Sequence, residues 1–351
     1  MIMKKIRIGI ISPSEIAFRR FLPALKSAEG FEYIGVATAK KEEYSGATSE
    51  ILDRHRKKAL PFMENYGGKI FDGYEKMILS PEIDAVYLPL PPALHFKWAE
   101  KALLNNKHVL VEKPSTTCLN DTQKLILLAK EKKLALHEDY MFVFHNQLEA
   151  INDIIKSGEL GQVRLYRITF GFPRRAAEDF RYNKTLGGGA LLDAGGYTMK
   201  YASKLLGKSG RLVAATANYL PKFDVDIFGS ATMVNNEGIT AQLAFGMDND
   251  YKCDLEVWCS KGTLTSSRVL TAPAGFVPTC TIKKNQDYQT RNLPSDDAFL
   301  KSIQHFERCI KNETVRIENY EEIGHQENLV EQFRELSKKS LNFQTKICIN
   351  S

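Results

Sequence analysis

Two short segments of the sequence carry side chains suited to acid–base chemistry at a carbonyl or alcohol oxygen. Residues 109–114 are an apolar run that ends in Glu-Lys-Pro, so that Lys113 directly follows a strand-like segment. Residues 187–197 are rich in glycine and lead to Asp193 and Tyr197. A lysine, an aspartate and a tyrosine brought together would hold such an oxygen and move its proton.

The spacing of these residues predicts how they are presented. Asp193 and Tyr197 are four residues apart, so in a helix they project from one face. Lys113 comes at the end of a predicted strand, which is where open α/β sheets bind their ligands. Because only X-Pro bonds adopt the cis form at low cost, the bond between Lys113 and Pro114 is a candidate cis peptide.

In the reductive direction, a hydride added to a ketone carbon leaves an oxygen that needs a proton. Tyr197 is the predicted general acid, because a neighbouring Lys113 ammonium favours the phenolate and lowers the pKa of the tyrosine. Lys113 would also stabilise the charge on the oxygen, and Asp193 would orient the lysine or a sugar hydroxyl. The structural alternatives are a polar turn at Lys113 and, at Asp193, a carboxylate that stabilises the first helical turns.

The composition is that of a two-domain globular protein. The chain has 351 residues, of which 43% are hydrophobic and 26% charged, which is enough for two cores. The net charge of +6 is spread along the chain, which favours a solvated surface over nucleic-acid binding. Six scattered cysteines without a CxxC pair predict neither a metal site nor disulfides. No apolar stretch reaches membrane-spanning length, so we expect a cytoplasmic protein.

The first 137 residues alternate strand-like and helix-like segments. Continuous apolar runs such as 6–11 and 108–111 are typical of strands covered on both faces. Helical patterns lie between such runs, for example at 15–28 and 93–104. Parallel strands joined by helical crossovers predict an α/β, Rossmann-like, doubly wound domain over residues 1–137 that binds a dinucleotide.

Beyond this domain the pattern changes. Strand-like stretches follow one another without intervening helices, which implies an antiparallel sheet. Residues 235–238 form a predicted hairpin turn between two of them. We therefore predict, for residues 138–351, an α+β substrate-binding and oligomerisation domain with a large open, mainly antiparallel sheet. Its predicted strands include 212–219, 225–234, 239–245 and 251–258, and its predicted closing helices are 296–311 and 320–339.

The loop after the first strand departs from the glycine-rich pattern that binds a dinucleotide pyrophosphate. Serine stands at the first two loop glycine positions and alanine at the third, and a proline removes an N–H between the serines. The two hydroxyls and the N-terminus of the following helix still suit a phosphate. An ordinary strand-to-helix turn is the alternative. The predicted cofactor-binding residues of this loop are Ser12, Pro13, Ser14, Glu15 and Ile16.

The end of the second predicted strand indicates which dinucleotide is preferred. Lys40 and Lys41 follow shortly after Thr38. An NAD-preferring domain usually has a carboxylate here for the ribose hydroxyls, whereas a pair of lysines suits a 2′-phosphate. The sequence therefore favours NADP(H) over NAD(H), with Thr38, Lys40 and Lys41 as predicted contacts.

Several motifs together resemble the glucose–fructose oxidoreductase / inositol dehydrogenase family, written Gfo/Idh/MocA. The resemblance covers nearly the whole chain, and its motifs are residues 6–11, 84–95, 112–114 and 187–197. Within that family, residues 16–25, 179–182 and 238–247 are most similar to the nucleotide-sugar (dTDP-hexose) 3-ketoreductases of deoxysugar biosynthesis.

This resemblance implies roles for individual residues. The lysine of the Glu-Lys-Pro motif, Lys113, would lie beside the nicotinamide and the reacting carbonyl, with Glu112 on the cofactor side. Tyr197 stands where many members have histidine, as it does in the sugar 3-ketoreductases and dihydrodiol dehydrogenases. His95 also fits a satisfied histidine at a helix start. The stretch that would lie over the nicotinamide contributes Leu90, Pro91, Leu94 and His95.

Seven further residues are predicted to contact the substrate. Arg181 and Tyr182 precede the glycine-rich run, and arginine matches the geometry of a diphosphate. His145 lies near the predicted domain junction. Packing or loop anchoring is the alternative for each residue. The full set is Phe142, His145, Arg181, Tyr182, Lys200, Gln242 and Tyr251.

These observations predict an NADPH-dependent reductase of a keto group, at the 3-position, on a dTDP-linked hexose. A dehydrogenase of a free sugar, polyol or trans-dihydrodiol would use the same residues, and a basic, aromatic pocket for a nucleoside diphosphate distinguishes the first hypothesis from the second. Because serines replace glycines in the phosphate loop, a non-catalytic binding protein is a third hypothesis. We expect the nucleotide sugar as partner, no nucleic acid and no membrane, and a homodimer or homotetramer.

Overall fold

The computed structural model describes residues 4–43 and 48–348, with side chains as far as residue 338. The chain divides into two compact units. The first unit consists of Met1–Tyr140 and Phe299–Gly324, and the second consists of Met141–Ala298 and His325–Ser351.

The first unit is built on a six-stranded parallel sheet. Its strands are β1 (Ile6–Ile11), β2 (Phe31–Thr38), β3 (Lys69–Asp72), β4 (Ala85–Leu88), β5 (His108–Glu112) and β6 (Leu136–Asp139). They are ordered β3-β2-β1-β4-β5-β6, and the order reverses between β1 and β4. This is the topology of a dinucleotide-binding domain, so the Rossmann-like prediction is confirmed.

Short helical segments connect these strands. A π-helical turn at Ala17–Phe21 leads into α1 (Leu22–Lys26), and α2 (Ser49–Tyr66), α3 (Tyr74–Ile78), α4 (His95–Leu104) and α5 (Leu119–Lys132) follow. Every residue of β4 is buried, because helices on both faces of a parallel sheet exclude water from its central strands. The continuous apolar runs of the sequence are explained by this burial.

The second unit is built on an eight-stranded sheet. Its strands are β7 (Val163–Gly171), β8 (Arg211–Tyr219), β9 (Asp226–Val234), β10 (Thr240–Gly246), β11 (Lys252–Cys259), β12 (Thr263–Ser267), β13 (Thr279–Lys284) and β14 (Asp287–Asn292), in the order β14-β13-β12-β11-β7-β10-β9-β8. All neighbours pair antiparallel except β7 and β10. The predicted large, mainly antiparallel sheet is confirmed, and β12 to β14 extend it beyond the predicted strands.

Four helices complete the described chain. They are α6 (Asn146–Lys156), α7 (Gly196–Leu206), α8 (Ala298–Lys311) and α9 (Glu313–Cys348). On one face of the large sheet, Phe245 of β10 packs against Phe333 of α9. The other face presents large exposed side chains, among them Phe228, Trp258 and Tyr288.

Residues 299–324 pack with the first unit, whereas the sequence prediction placed them in the second domain. Asn319 Nδ2 donates to the Leu136 carbonyl at 2.6 Å, and the Tyr320 hydroxyl donates to the Leu134 carbonyl. The Phe306 ring stacks on Phe31 at 6.1 Å. Residues 299–324 therefore pack on the first unit both at β6 and at the start of β2.

The helices of the described ranges were also compared with the dimensions of a lipid bilayer. None is both long and apolar enough to span one.

Candidate active site

Lys113 lies in a tight turn at the carboxyl end of β5, and we call residues 112–115 the Lys113 turn. The Lys113–Pro114 peptide is cis, as predicted. Glu112 Oε1 accepts a hydrogen bond from the Tyr87 hydroxyl at 2.5 Å, and Ser115 N donates to Glu138 Oε1 at 2.7 Å. The backbone around the lysine is thereby fixed by side chains from β4 and β6, the two neighbouring strands.

His95 holds the same turn from a third side. Its Nδ1 lies 2.8 Å from the Pro114 carbonyl oxygen, and its Nε2 lies 2.8 Å from the Leu90 carbonyl oxygen. The side chain is fully buried, and burial lowers its pKa to about 4. A neutral ring has one N–H, so it donates to one of the two carbonyls. These contacts fit the alternative of a satisfied histidine, and contact between His95 and the cofactor stays a prediction.

Buried acids lie next to the Lys113 turn. Asp139, at the end of β6, is paired in register with Glu112, and its Oδ1 lies 2.6 Å from the Ser302 hydroxyl. Burial, together with the nearby Glu112 carboxylate, raises the pKa of Asp139 well above its usual range. Sequence reasoning missed Asp139, because its hydrogen-bond partner Ser302 lies far from it along the chain.

The loop after β1 has the conformation of a tight turn despite its serines. Ser12 is buried and has a φ of +88°, in the region that favours glycine. Ser14 Oγ accepts a hydrogen bond from Ala17 N at 3.1 Å and so caps the following helical turn. Pro13 is buried, Ile16 is half-buried and Glu15 is exposed. The predicted loop residues thus line one strand-to-helix turn.

The end of β2 combines the predicted lysines with an unpredicted carboxylate. Thr38 is buried, Lys40 is half-buried and Lys41 is exposed. Glu43 is buried, and it accepts hydrogen bonds from the backbone N–H groups of Lys40, Tyr74 and Glu75 at 2.8–2.9 Å. Its oxygens are engaged by the protein backbone, so it is not positioned as a carboxylate for ribose hydroxyls. Leu90, Pro91 and Leu94 form the loop after β4, where Leu90 is buried and the other two are half-buried.

In the second unit, the glycine-rich run allows two close approaches. A Cβ at Gly188 would lie 2.3 Å from the Arg181 carbonyl oxygen, and one at Gly189 would lie 2.4 Å from Asp226 Oδ1. Gly189 also has a φ of +118°, which disfavours any other residue. The run is therefore glycine-rich because a loop and a carboxylate pack directly on its backbone.

Asp226 caps the helical segment that follows the run. Its Oδ2 accepts a hydrogen bond from Leu191 N at 2.6 Å. Burial raises the pKa of Asp226 to about 6. Sequence reasoning missed this residue, because nothing in a local pattern links Asp226 to a backbone N–H so far from it in the chain.

The capped segment carries Asp193 and Tyr197, the two residues of the second unit that the sequence predicts for catalysis. A π-helical turn at Leu191–Gly195 contains Asp193 and continues into α7, which contains Tyr197. We call residues 191–206 the Tyr197 helix. Single π-turns occur often at functional sites, because they change the face on which side chains emerge.

Asp193 is engaged in an ion pair. Arg181 Nε donates to Asp193 Oδ2 at 2.5 Å, and Arg181 NH1 lies 3.1 Å from Asp179 Oδ1. All three side chains are largely buried. Arg181 therefore lies between two carboxylates, which is the structural alternative to the predicted contact with a diphosphate.

Tyr197 lies among aromatic rings. Its ring centroid is 5.5 Å from that of Phe142 and 5.2 Å from that of Phe170. Of the predicted substrate residues, Phe142 is therefore brought against the predicted general acid. Lys200 lies on the same helix and is buried.

The other predicted substrate residues have structural roles. His145 is buried and accepts a hydrogen bond from Gln147 N as the cap of α6. The Tyr182 hydroxyl accepts from Arg175 N and donates to the Met247 carbonyl. Gln242 is exposed, and its Oε1 accepts a hydrogen bond from Arg167 Nε on the open face of the sheet. Its neighbours in β10 are buried on the other face. The Tyr251 hydroxyl lies 2.9 Å from Thr271 Oγ1. These hydrogen bonds fit the structural alternatives for His145 and Tyr182, and direct substrate contact stays a prediction for all four residues.

Comparison with known proteins identifies the family. A model described as "Oxidoreductase family, NAD-binding Rossmann fold" matches residues 6–140, and the GFO/IDH/MocA C-terminal domain matches residues 148–265. The chain belongs to the GFO/IDH/MocA oxidoreductase family. Its members are NAD(P)-dependent oxidoreductases, so the predicted class of enzyme and the predicted family are confirmed.

Two curated relatives are similar over most of the chain. A dTDP-3,4-didehydro-2,6-dideoxy-α-D-glucose 3-reductase from Actinomadura kijaniata is 36% identical over 305 residues, which are 87% of each protein. The enzyme of the same name from Streptomyces violaceoruber is 36% identical over 310 residues, which are 88% of this chain and 86% of the relative.

A solved structure has the same fold. It is a 3-ketoreductase from Actinomadura kijaniata in complex with NADP and TDP-benzene, 34% identical, with a TM-score of 0.87 and coverage of 95% of this chain and 98% of that one. Variants of that enzyme with a replaced lysine and with a tyrosine replaced by phenylalanine have also been solved. The two replaced residues are separated along the chain by the same number of residues as Lys113 and Tyr197.

Proposed function

We propose that this chain is an NADPH-dependent reductase of the 3-keto group of a dTDP-linked hexose. The observation that carries the proposal is that the chain has a lysine and a tyrosine, Lys113 and Tyr197, on a fold shared with 3-ketoreductases that are about one-third identical. The same pair of residue types, at the same spacing, is the target of substitution in the solved relative. A catalytic lysine and tyrosine shared with these relatives would explain both the common fold and the matching spacing of the two residues.

The first unit fits a bound dinucleotide. Ser12 has the positive φ of a tight turn directly before a helical segment, at the switch point of the sheet. Ser12 and Ser14 would hold the pyrophosphate, and Lys40 and Lys41 the 2′-phosphate, while Glu43 is engaged by backbone N–H groups. When bound, NADPH supplies the hydride that reduces the ketone.

The chain's own residues manage the proton and the charge. Tyr197 donates its hydroxyl proton to the oxygen of the sugar, and the Lys113 ammonium stabilises negative charge on that oxygen as it develops. Asp193, held by Arg181, orients this face of the Tyr197 helix. Phe142 and Phe170 keep water away from the tyrosine ring.

The proposal also covers assembly and location. The exposed face of the eight-stranded sheet, with Phe228, Trp258 and Tyr288, is suited to bury apolar area in a homodimer or homotetramer. The cytoplasmic location expected from the sequence stays a prediction.

The test is turnover by the purified protein. NADPH oxidation should require a 3-keto dTDP-hexose, and Lys113→Ala and Tyr197→Phe should each lower kcat by about 10² to 10⁴. Tyr219→Phe, at an exposed tyrosine of β8, is the matched control and should keep wild-type kcat. Failure to oxidise NADPH with any 3-keto nucleotide sugar would refute the proposal. Oxidation of a free sugar, polyol or trans-dihydrodiol would favour the dehydrogenase hypothesis instead, and NADPH binding without any turnover would favour a binding protein.

A further inference from the structure

Within the second unit, a second pair of arginines is better placed than Arg181 to receive an anion. We propose that Arg174 and Arg175 bind the diphosphate of the nucleotide sugar, and that the aromatic rings beneath them form the floor of this site. The inference rests on the proposed function, because it names the residues that recognise the substrate's nucleoside diphosphate.

Arg181 is already neutralised. Its guanidinium contacts Asp193 at 2.5 Å and Asp179 at 3.1 Å, and its side chain is 19% exposed. A phosphate brought to this arginine would have to displace two carboxylates or be repelled by them. Arg181 is thus a residue that positions Asp193, and the diphosphate needs other cations.

Arg174 and Arg175 are exposed, and neither forms an ion pair with any acid in the described part of the chain. The Arg174 guanidinium lies 4.9 Å from the Phe223 ring and 6.0 Å from the Tyr182 ring, and that of Arg175 lies 5.2 Å from the Phe172 ring. A guanidinium stacked on a ring keeps the N–H groups of its edge available for a planar, bidentate contact with phosphate oxygens. Stacking also reduces the conformational freedom that binding would otherwise remove.

The backbone of this segment is anchored at both ends. Phe172 N donates to the Gly246 carbonyl at 3.2 Å, and Arg175 N donates to the Tyr182 hydroxyl at 2.9 Å. The hydroxyl in turn donates to the Met247 carbonyl at 3.2 Å. Tyr182, which sequence reasoning assigned to the substrate, therefore holds the arginines in place.

A continuous series of ring contacts connects the arginines to the predicted general acid. The Tyr197 ring lies 5.2 Å from Phe170, Phe170 lies 5.9 Å from Phe172, and Phe172 carries Arg175 at 5.2 Å. A nucleotide sugar with its keto group at Tyr197 would extend its phosphates along this series of rings. The basic, aromatic surface is the feature that distinguishes a nucleotide-linked sugar from a free sugar.

The experiment measures binding of dTDP to the full-length protein, saturated with NADP⁺, by isothermal titration calorimetry. Arg174→Ala and Arg175→Ala should each weaken dTDP binding about tenfold, and the double variant on the order of a hundredfold, because each removes a charge-assisted contact. The dependence of dTDP affinity on salt should fall with each substitution. Arg164→Ala, at the opposite end of β7, is the matched control and should change the Kd less than twofold.

The companion variant is Arg181→Ala, which should lower kcat but change the dTDP Kd less than threefold. The proposal is overturned if Arg181→Ala abolishes dTDP binding while Arg174→Ala and Arg175→Ala leave it unchanged. The proposed diphosphate site is wrong, and the proposed function still stands, if the wild type reduces the dTDP-linked ketone but the double variant binds dTDP normally. It falls together with the proposed function if the wild type neither binds dTDP nor turns over any nucleotide sugar.

Discussion

The Lys113 turn and the Tyr197 helix are held in place by different kinds of contact. The Lys113 turn is fixed by Tyr87 and Glu138, on the neighbouring strands β4 and β6, and by His95 at the start of α4. The Tyr197 helix depends on Asp226 and Arg181, which reach it from other loops and carry charge. Buried acids with a raised pKa lie beside both arrangements, Asp139 next to the first and Asp226 at the second, so both should respond to pH.

Substitution at the cap of the Tyr197 helix should have the largest effect on stability. Gly189→Ala would place a Cβ 2.4 Å from the Asp226 carboxylate at a φ of +118°. We expect a loss of roughly 4 kcal/mol in the free energy of unfolding of the second unit, from overpacking and backbone strain together, with NADPH affinity retained. Denaturant unfolding followed by circular dichroism measures the loss.

Gly207→Ala is the matched control for this substitution. Gly207 has a φ of +74° but no atom within 4 Å of its Cβ position, so only the backbone strain of roughly 1–3 kcal/mol should remain. Equal losses in the two variants would show that contact with Asp226 does not matter.

The corresponding substitution at the Lys113 turn is His95→Ala. It removes the donor to a buried carbonyl and leaves a cavity, so we expect a loss of about 3 kcal/mol in stability and a lower kcat. His95→Gln retains an N–H and should recover part of both. The check is a kcat profile across pH 5–8. The profile should keep its shape in His95→Gln, and a displaced profile would mean that His95 itself titrates in that range.

The stability of the protein should depend on pH through Asp226. In the folded chain the pKa of Asp226 is raised from 3.8 to about 6. The folded state therefore keeps a proton that the unfolded chain has released, and the free energy of unfolding should fall as pH rises from about 4 through 6. The fall amounts to roughly 2–3 kcal/mol.

Urea unfolding at pH 4, 5, 6 and 7 measures this fall in the wild type and two variants. Asp226→Asn should flatten the slope, because the amide accepts from Leu191 N without titrating. Asp224→Asn changes an exposed acid two residues away and should keep the wild-type slope. An unchanged slope in Asp226→Asn would assign the pH dependence to another group.

The smallest expected effect concerns the loop after β1. Ser12 has a φ of +88°, and Ser12→Gly should relieve strain of about 1 kcal/mol and raise the thermal midpoint by a few degrees. Ala17→Gly, at a buried helical position, should have the opposite sign. A lower midpoint for Ser12→Gly would show that the serine hydroxyl stabilises the turn by more than its backbone strain costs.

Much of this architecture could be predicted from the sequence, because local patterns encode it. The apolar runs that became β1 and β5 are continuous since both their faces are buried, and the four-residue spacing of Asp193 and Tyr197 fits one helical segment. The proline after Lys113 marked the cis peptide.

Contacts between distant residues could not be predicted in this way. Asp226 contacts Leu191 because β9 passes the start of the Tyr197 helix in the folded chain. No periodicity in the sequence indicates that contact. Arg181 matched the chemistry of a diphosphate, but its chemistry fits a carboxylate equally well, and two carboxylates hold it. His95 was ambiguous for the same reason, because its ring suits a ligand and a carbonyl alike.

The return of residues 299–324 to the first unit has a consequence for recombination among homologous genes. A single crossover after Tyr140 would join one protein's β6 to another protein's Ser302, Asn319 and Tyr320, which bond to Asp139, Leu136 and Leu134. A chimera that keeps both pieces of the first unit together would therefore need at least two crossovers, and a third after Gly324 would keep the second unit whole as well. Natural exchange of substrate specificity should thus favour replacement of an internal segment over replacement of a whole tail.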